Sequence, residues 1–262
     1  MPPAGTAADA DLLDVRAVCK AYGGLRALQD VSLAVPAGRV VGLIGPNGSG
    51  KSTLFDVISG FRRCDAGAVL YRGARIERLP PDRIALRGLM RTFQMSEGGQ
   101  RLTTIENLLA AAPEQQEHRP AAALGWGRGR AILRRAREVV DLLGLRAVAD
   151  EYVGNLSGGQ KKLVDLGRMF MARPRLSLLD EPTAGVNPTL ISVIVEALRR
   201  MNRDEGITLL IVEHNMQVVQ EFCDHVYVLD AGRVIAQGTP DAVRTDARVL
   251  DSYLGVSRRP EG

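Results

Sequence analysis

Cysteine is scarce in this chain. Cys19, Cys64 and Cys223 lie far apart and form no CxxC pair. That pattern argues against a disulfide framework and against a zinc site, and reduced thiols are expected. Long apolar runs are missing too: none approaches the roughly 18–20 residues that a membrane-spanning helix requires. The opening stretch MPPAGTAADADLLD has neither a basic segment nor an apolar core, so it does not read as a secretory signal. Positions 1–11 and 255–262 are expected to be tails. There is no internal repeat, and no low-complexity segment beyond the alanine-rich first ten residues. Charge of one sign does not dominate either. The net charge of +4 and the pI near 9.2 would suit nucleotides or an anionic membrane surface, and ordinary solubility equally well. With 262 residues, 45% hydrophobic and 24% charged, the chain reads as a soluble, cytoplasmic globular protein that can dock on something that is not.

What is present is a rhythm of strands and helices. LLDVRAV and LRALQDVSLAV suit strands, and RVVGLIG at 39–45 is the continuous apolar run of a buried strand. A glycine-rich turn follows, then KSTLFDVISGF with helical character. GAVLYRGARI reads as a hairpin turning at Gly73. From about Gln94 to Leu156 the pattern changes. TTIENLLAAA is a helix candidate, and EQQEHRPAAALGWGRG reads as a loop. In AILRRAREVVDLLG, the residues Ile132, Leu133, Ala136, Val139, Val140 and Leu143 share one helical face, and Gly144 stands where a helix-ending glycine belongs. Arg134, Arg135 and Arg137 take the other face and read as solvated, or alternatively as contacts for lipid headgroups. The stretch from about 95 to 165 looks like a helical lobe inserted in an α/β core. Beyond it, RLSLLD, ITLLIV and VYVLD alternate with helical segments, which implies a parallel sheet covered on both faces. GTPDAV opens a short helix with Thr239 as N-cap and Pro240 at its first position.

The chemistry concentrates at the ends of these strands. GPNGSGKST, residues Gly45, Pro46, Asn47, Gly48, Ser49, Gly50, Lys51, Ser52 and Thr53, fits G-x-x-x-x-G-K-[ST] between a buried strand and a helix. Its glycines let successive backbone N–H groups converge on phosphates at the positive end of the helix. Lys51 can reach β- and γ-phosphates, and the Ser52 hydroxyl can ligate Mg²⁺. Asp180 ends an apolar strand, at the carboxyl edge where α/β folds bind ligands, and can hold Mg²⁺ through water. Glu181 is a candidate general base, and a helix-entry acid pair before Pro182 is the plainer alternative. His214, after another strand, can reach a γ-phosphate or the attacking water, or can simply cap. His118 and His225 read as structural. LSGGQ, with Ser157, Gly158, Gly159 and Gln160, repeats the anion-binding chemistry: a capping serine, then glycines that expose backbone N–H groups. Within one subunit it is redundant, so it is free to cover a nucleotide held by another chain.

In this order, GPNGSGKST, RTFQ, LSGGQ, LSLLDEPTAGVNP and VEHNM resemble the nucleotide-binding subunit of an ATP-binding cassette transporter, over roughly Leu12 to Leu254. The resemblance implies a P-loop NTPase (RecA-like) α/β core with a mainly parallel sheet, an N-terminal antiparallel β subdomain and an inserted helical subdomain, all within one ATPase domain at 12–254. It implies ATP and Mg²⁺ as cofactors. It also implies a head-to-tail pair of cassettes in which each ATP lies between one subunit's P-loop and the other's LSGGQ. In that scheme Tyr22 stacks on adenine, Gln94 links Mg²⁺ and water to the helical lobe and the membrane subunit, Glu181 is the base and His214 the switch. Asn187 departs from the pattern, standing where many cassettes have aspartate, so a charge-dependent role across the dimer is not carried over. RTFQ, AGVNP, VEHNM and the ending GTPDAVRTDARVLDSYLG look like importer ATPases for branched-chain amino acids and related polar solutes. The lipopolysaccharide-export ATPase and urea or amide importers look similar. The partners implied are a second ATPase subunit, membrane permeases and, indirectly, an extracytoplasmic solute-binding protein, with the chain on the inner face of the cell membrane and no nucleic acid involved. A structural or DNA-associated cassette machine would carry a long coiled coil or a second fused cassette, and neither is here. A soluble P-loop kinase would leave LSGGQ unexplained.

Overall fold

The structure, a computed structural model, describes residues 11–92, 97–113 and 126–254. The strands are β1 (Asp11–Tyr22), β2 (Leu25–Pro36), β3 (Val40–Ile44), β4 (Ala66–Tyr71), β5 (Ala74–Arg75), β6 (Leu89–Arg91), β7 (Leu176–Asp180), β8 (Thr208–Val212), β9 (His225–Asp230) and β10 (Arg233–Gly238). The α-helices are α1 (Lys51–Ile58), α2 (Pro81–Ala85), α3 (Glu97–Gln100), α4 (Thr104–Ala110), α5 (Trp126–Leu142), α6 (Gly158–Ala172), α7 (Pro188–Arg203), α8 (Met216–Phe222), α9 (Pro240–Arg244) and α10 (Ala247–Leu254). They fall into two compact units, one of Met1–Arg91, Leu176–Glu181 and Thr208–Gly262, the other of Thr92–Arg175 and Pro182–Ile207.

The first unit holds both sheets. One is antiparallel, in the order β2-β1-β4-β5, and the other runs β10-β9-β3-β8-β7-β6. The second is parallel from β9 through β6, with β10 antiparallel at its edge. Strands β3 and β8 are buried along their whole length, which is why they read as unbroken apolar runs. β1 instead buries Leu13, Val15 and Val18 and leaves its other positions more open, as suits a sheet covered on one face. Side chains from both sheets and from α1 form a single core that includes Leu13, Val35, Leu43, Phe55, Leu178 and Leu210. Burying each such side chain stabilises the fold by about 1.5–3 kcal/mol. Tyr227 of β9 stitches the layers together, its hydroxyl oxygen accepting from the Ala34 N–H of β2 at 3.1 Å.

Helices make up the second unit. α4 starts with a capping box in which Thr103 and Glu106 satisfy each other's backbone N–H groups. The expected apolar face of α5 is buried at Ile132, Ala136, Val139, Val140 and Leu143. Past its end, the Leu145 N–H returns to the Val140 carbonyl with Gly144 at φ 65°, closing the helix as a left-handed glycine does. Two expectations change here. The helix begins at Trp126, so Trp126–Gly129 are helical where the sequence suggests a loop; each glycine there costs only about 1 kcal/mol against alanine, which a long packed helix absorbs. Arg135 is not solvated: it is 19% exposed and donates to the Phe170 carbonyl and to both oxygens of Glu205. The expectation for His118 lies outside the described residues.

Candidate functional site

The P-loop grows out of β3, the strand flanked in parallel by β8 and β9. Its path demands glycine where the backbone is crowded. A Cβ on Gly45 would lie 1.9 Å from the Leu229 carbonyl oxygen, and one on Gly50, at φ 110°, would lie 2.5 Å from that of Ala27. The loop is anchored below by the Gly232 N–H, which donates to Ser49 O at 2.9 Å. Asn47 and Gly48 face outward, and Ser52 is exposed at the start of α1, while Thr53 is half-buried. Lys51 is buried, and its Nζ donates to Gly45 O (2.8 Å), Pro46 O (2.9 Å) and Ser49 Oγ (3.4 Å). Burial lowers its pKa from the ordinary lysine value, and the nearby Glu181 and Asp180 carboxylates act in the opposite direction. The loop therefore wraps an ammonium group in its own oxygens.

Both carboxylates come from the end of β7. Asp180 pairs in register with Val212 of β8, and the Glu181 N–H continues the ladder to the Val212 carbonyl at 2.9 Å. Glu181 has a left-handed backbone, φ 48°, which costs a residue with a Cβ about 1–2 kcal/mol. Its Oε1 lies 2.7 Å from Nε2 of His214. Beneath them the buried Glu213 carboxylate accepts from the backbone N–H groups of His214 and Asn215, fixing the turn that presents the histidine. The fold thus brings Lys51, Asp180, Glu181 and His214 together. His225 instead packs edge-on against Tyr227, with ring centroids 4.9 Å apart.

Tyr22, at the end of β1, is 41% exposed, and the Lys20 ammonium sits 5.5 Å from its ring centre. It offers an accessible flat face. Gln94 lies outside the described residues. Sequence reasoning assigns no role to Arg91, which ends β6 and opens RTFQ. Its Nη1 is 2.6 Å from Asp56 and its Nη2 3.0 Å from Asp180. An arginine closing a short apolar strand is a weak signal, and its partners are remote in the chain.

The LSGGQ residues belong to the second unit. Ser157 caps α6, its Oγ accepting from the Gln160 N–H while the Gln160 side chain accepts from the Ser157 N–H. The two glycines differ. A Cβ on Gly159 would lie 2.5 Å from Leu190 Cδ1, whereas one on Gly158 would meet nothing within 4 Å. Asn187 has a definite local role: its Oδ1 accepts from the Leu190 N–H at 2.9 Å, capping α7 ahead of Pro188.

Among the described residues, the oxygen donors expected for a metal, the Ser52 hydroxyl and the Asp180 carboxylate, suit a hard cation. Among the described residues no group of three or more His, Cys, Asp or Glu could cage one. Mg²⁺, which keeps water and shares phosphate oxygens, fits such a sparse set.

A buried parallel strand running into a lysine-bearing phosphate loop, with paired carboxylates on a nearby strand, defines a P-loop nucleotide-binding ATPase. The chain belongs to the ABC transporter family, whose model matches residues 28–184. A second model, described as branched-chain amino acid ATP-binding cassette transporter, matches residues 233–258. A probable branched-chain amino acid transport ATP-binding protein LivG of Archaeoglobus fulgidus is 37% identical over 94% of this chain and 96% of that protein. The high-affinity branched-chain amino acid transport ATP-binding protein BraF of Pseudomonas aeruginosa is 34% identical over 93% of this chain and 98% of its own length. A solved ATP-binding cassette of an ABC transporter in its ADP conformation is 35% identical, superposes with a TM-score of 0.80, and is covered to 99% by 94% of this chain. A dimeric cassette bound to ADP and Pi is 25% identical, with a TM-score of 0.73 over 87% of this chain and 98% of that one. No helix among the described residues is long and apolar enough to cross a membrane.

Proposed function

We propose that this chain is the ATPase subunit that powers import of branched-chain amino acids or related small polar solutes, acting in pairs beneath membrane permeases on the cytoplasmic face. An extracytoplasmic solute-binding protein would deliver the solute. The C-terminal match at 233–258 and the printed names of the relatives support the solute class. The observation that carries the chemistry is the grouping of Lys51 with Asp180 and Glu181, with Glu181 held by His214 at 2.7 Å.

In this reading residues 12–254 act as one cassette, with the helical subdomain at about 95–165. The P-loop amides from Gly45 to Thr53 cradle the phosphates of ATP, Tyr22 stacks on the adenine, and Lys51 exchanges its loop carbonyls for β- and γ-phosphate oxygens. Ser52, Asp180 and Gln94 would hold Mg²⁺, which when bound neutralises charge developing on the phosphate oxygens. The attacking water gives its proton to the Glu181 carboxylate as its oxygen adds to the γ-phosphorus and the bond to the β-phosphate oxygen breaks. His214 holds that carboxylate in line through Nε2. Ser157, Gly158, Gly159 and Gln160 close over the nucleotide of a second cassette, so ATP joins the pair and its hydrolysis releases it.

Glu181→Gln tests the assignment. Loss of a positioned base lowers turnover about 10²–10⁴-fold, while ATP binding survives and ATP traps a dimer. Turnover close to wild type would remove Glu181 from the base role. The solute class is read separately, by reconstituting the complex with its permeases and asking whether leucine, isoleucine or valine stimulates hydrolysis. Stimulation by urea or short amides alone would reassign the solute.

A further inference from the structure

We propose that Arg91 is the positioning residue that sets the distance between two of the metal donors, Ser52 and Asp180. The inference rests on the reading above, in which those two residues are among the holders of Mg²⁺.

The geometry follows from register. Arg91 of β6 pairs with Leu178 of β7. Asp180 lies two residues further along β7, so its side chain leaves the sheet on the same face as that of Leu178. The guanidinium therefore reaches the Asp180 carboxylate with one arm, Nη2 to Oδ2 at 3.0 Å. Its other arm, Nη1, meets Asp56 Oδ1 at 2.6 Å. Asp56 lies four residues after Ser52 on α1, on the same face of that helix one turn on. One planar fork thus joins the helix that carries the hydroxyl donor to the strand that carries the carboxylate donor. The Phe55 ring lies 5.6 Å from the guanidinium carbon, and the side chain is only 11% exposed, so the fork is held and shielded from water. A metal site with so few protein ligands has no cage to correct a misplaced one. Outer partners that orient ligands carry that burden, and losing one typically weakens metal binding about 10–100-fold. Lysine would not substitute fully, because a single ammonium lacks the fork that spans two carboxylates.

The test uses the full chain loaded with ADP, with Mn²⁺ as the probe and free Mn²⁺ followed by electron paramagnetic resonance. Arg91→Gln should weaken Mn²⁺ binding to the ADP complex by about 10–100-fold, and leave ADP affinity in EDTA unchanged. Arg91→Lys should recover part of the loss, which a purely structural role would not predict at constant ADP affinity. Asp180→Asn is the control for the underlying reading and should also lose Mn²⁺ affinity. If Asp180→Asn loses Mn²⁺ while Arg91→Gln binds it as wild type does, the positioning role is overturned and the assignment of Asp180 stands. If Asp180→Asn keeps full Mn²⁺ affinity, the assignment of Asp180 fails and this inference fails with it. Should Arg91→Gln not fold, Asp56→Asn removes one arm and leaves the other. Weaker Mn²⁺ binding supports the bridge, and unchanged binding overturns it.

Discussion

Gly158→Ala separates what the fold needs from what a partner needs. Gly158 opens α6, its φ is not in the left-handed region, and an added Cβ would meet nothing within 4 Å. In the monomer the substitution therefore removes unfolded-state freedom without adding strain, and should stabilise the chain by about 0.4–1 kcal/mol. If Gly158 faces the γ-phosphate of a second cassette, the same methyl group is driven into a packed interface. Overpacking there costs about 1–3 kcal/mol, or a roughly 5- to 150-fold weaker ATP-dependent dimer. Gly159→Ala should behave differently, because its Cβ would lie 2.5 Å from Leu190 Cδ1 and 3.4 Å from Val186 Cγ1. Leu190 can swing away, so the monomer should lose about 1 kcal/mol, the low end of the overpacking range. Urea unfolding of each variant measures the first quantity. Sedimentation with ATP in a Glu181→Gln background, where hydrolysis does not dissolve the dimer, measures the second. A Gly158→Ala protein that is more stable and still dimerises as tightly as its parent would refute the placement of Gly158 against the partner's nucleotide. A Gly158→Ala monomer that is less stable would refute the claim of open space.

Tyr22→Ala should weaken ATP binding by about 1–3 kcal/mol, the range for a base stacked on an aromatic ring. Equal affinities by calorimetry would move adenine recognition elsewhere. Asn187→Ala removes the cap of α7 and should lower stability by about 0.5–2 kcal/mol, with Asn187→Asp close to neutral; both are read from denaturant midpoints. Asp165 of α6 supplies a pH test. Burial pushes its carboxyl from 3.8 up to about 6, against the pull of Arg168. The folded chain then keeps this proton where the unfolded chain has lost it. The stability it contributes is fully present below about pH 4 and lost as pH rises through about 6. Asp165→Asn should therefore gain about 3 kcal/mol over wild type at pH 7 and flatten this part of the stability profile between pH 4 and 6. An unchanged slope would show that Asp165 titrates normally.

What the sequence determines by itself is local. A P-loop is a run of adjacent residues whose glycines and lysine act within one turn, so GPNGSGKST is legible without any tertiary contact. The same holds for Ser157 and Thr239 as helix caps, for the apolar face of α5, and for β3 and β8, whose burial on both faces leaves nearly unbroken apolar runs. The tertiary structure alone decided the rest. β6 is three residues long and β10 is a half-open edge strand, so neither carries a period strong enough to read. Arg135 looked solvated because its charge pattern is that of an outer face, and only the fold places the Phe170 carbonyl and Glu205 beside it. Gly159 and Gly158 are indistinguishable as letters, and Leu190 tells them apart. The pairing of Glu181 with His214 spans 33 positions, and the fork of Arg91 reaches Asp56 and Asp180 across 35 and 89. Such contacts leave no periodic mark in the chain, because strand order and register, not proximity in sequence, choose which side chains meet.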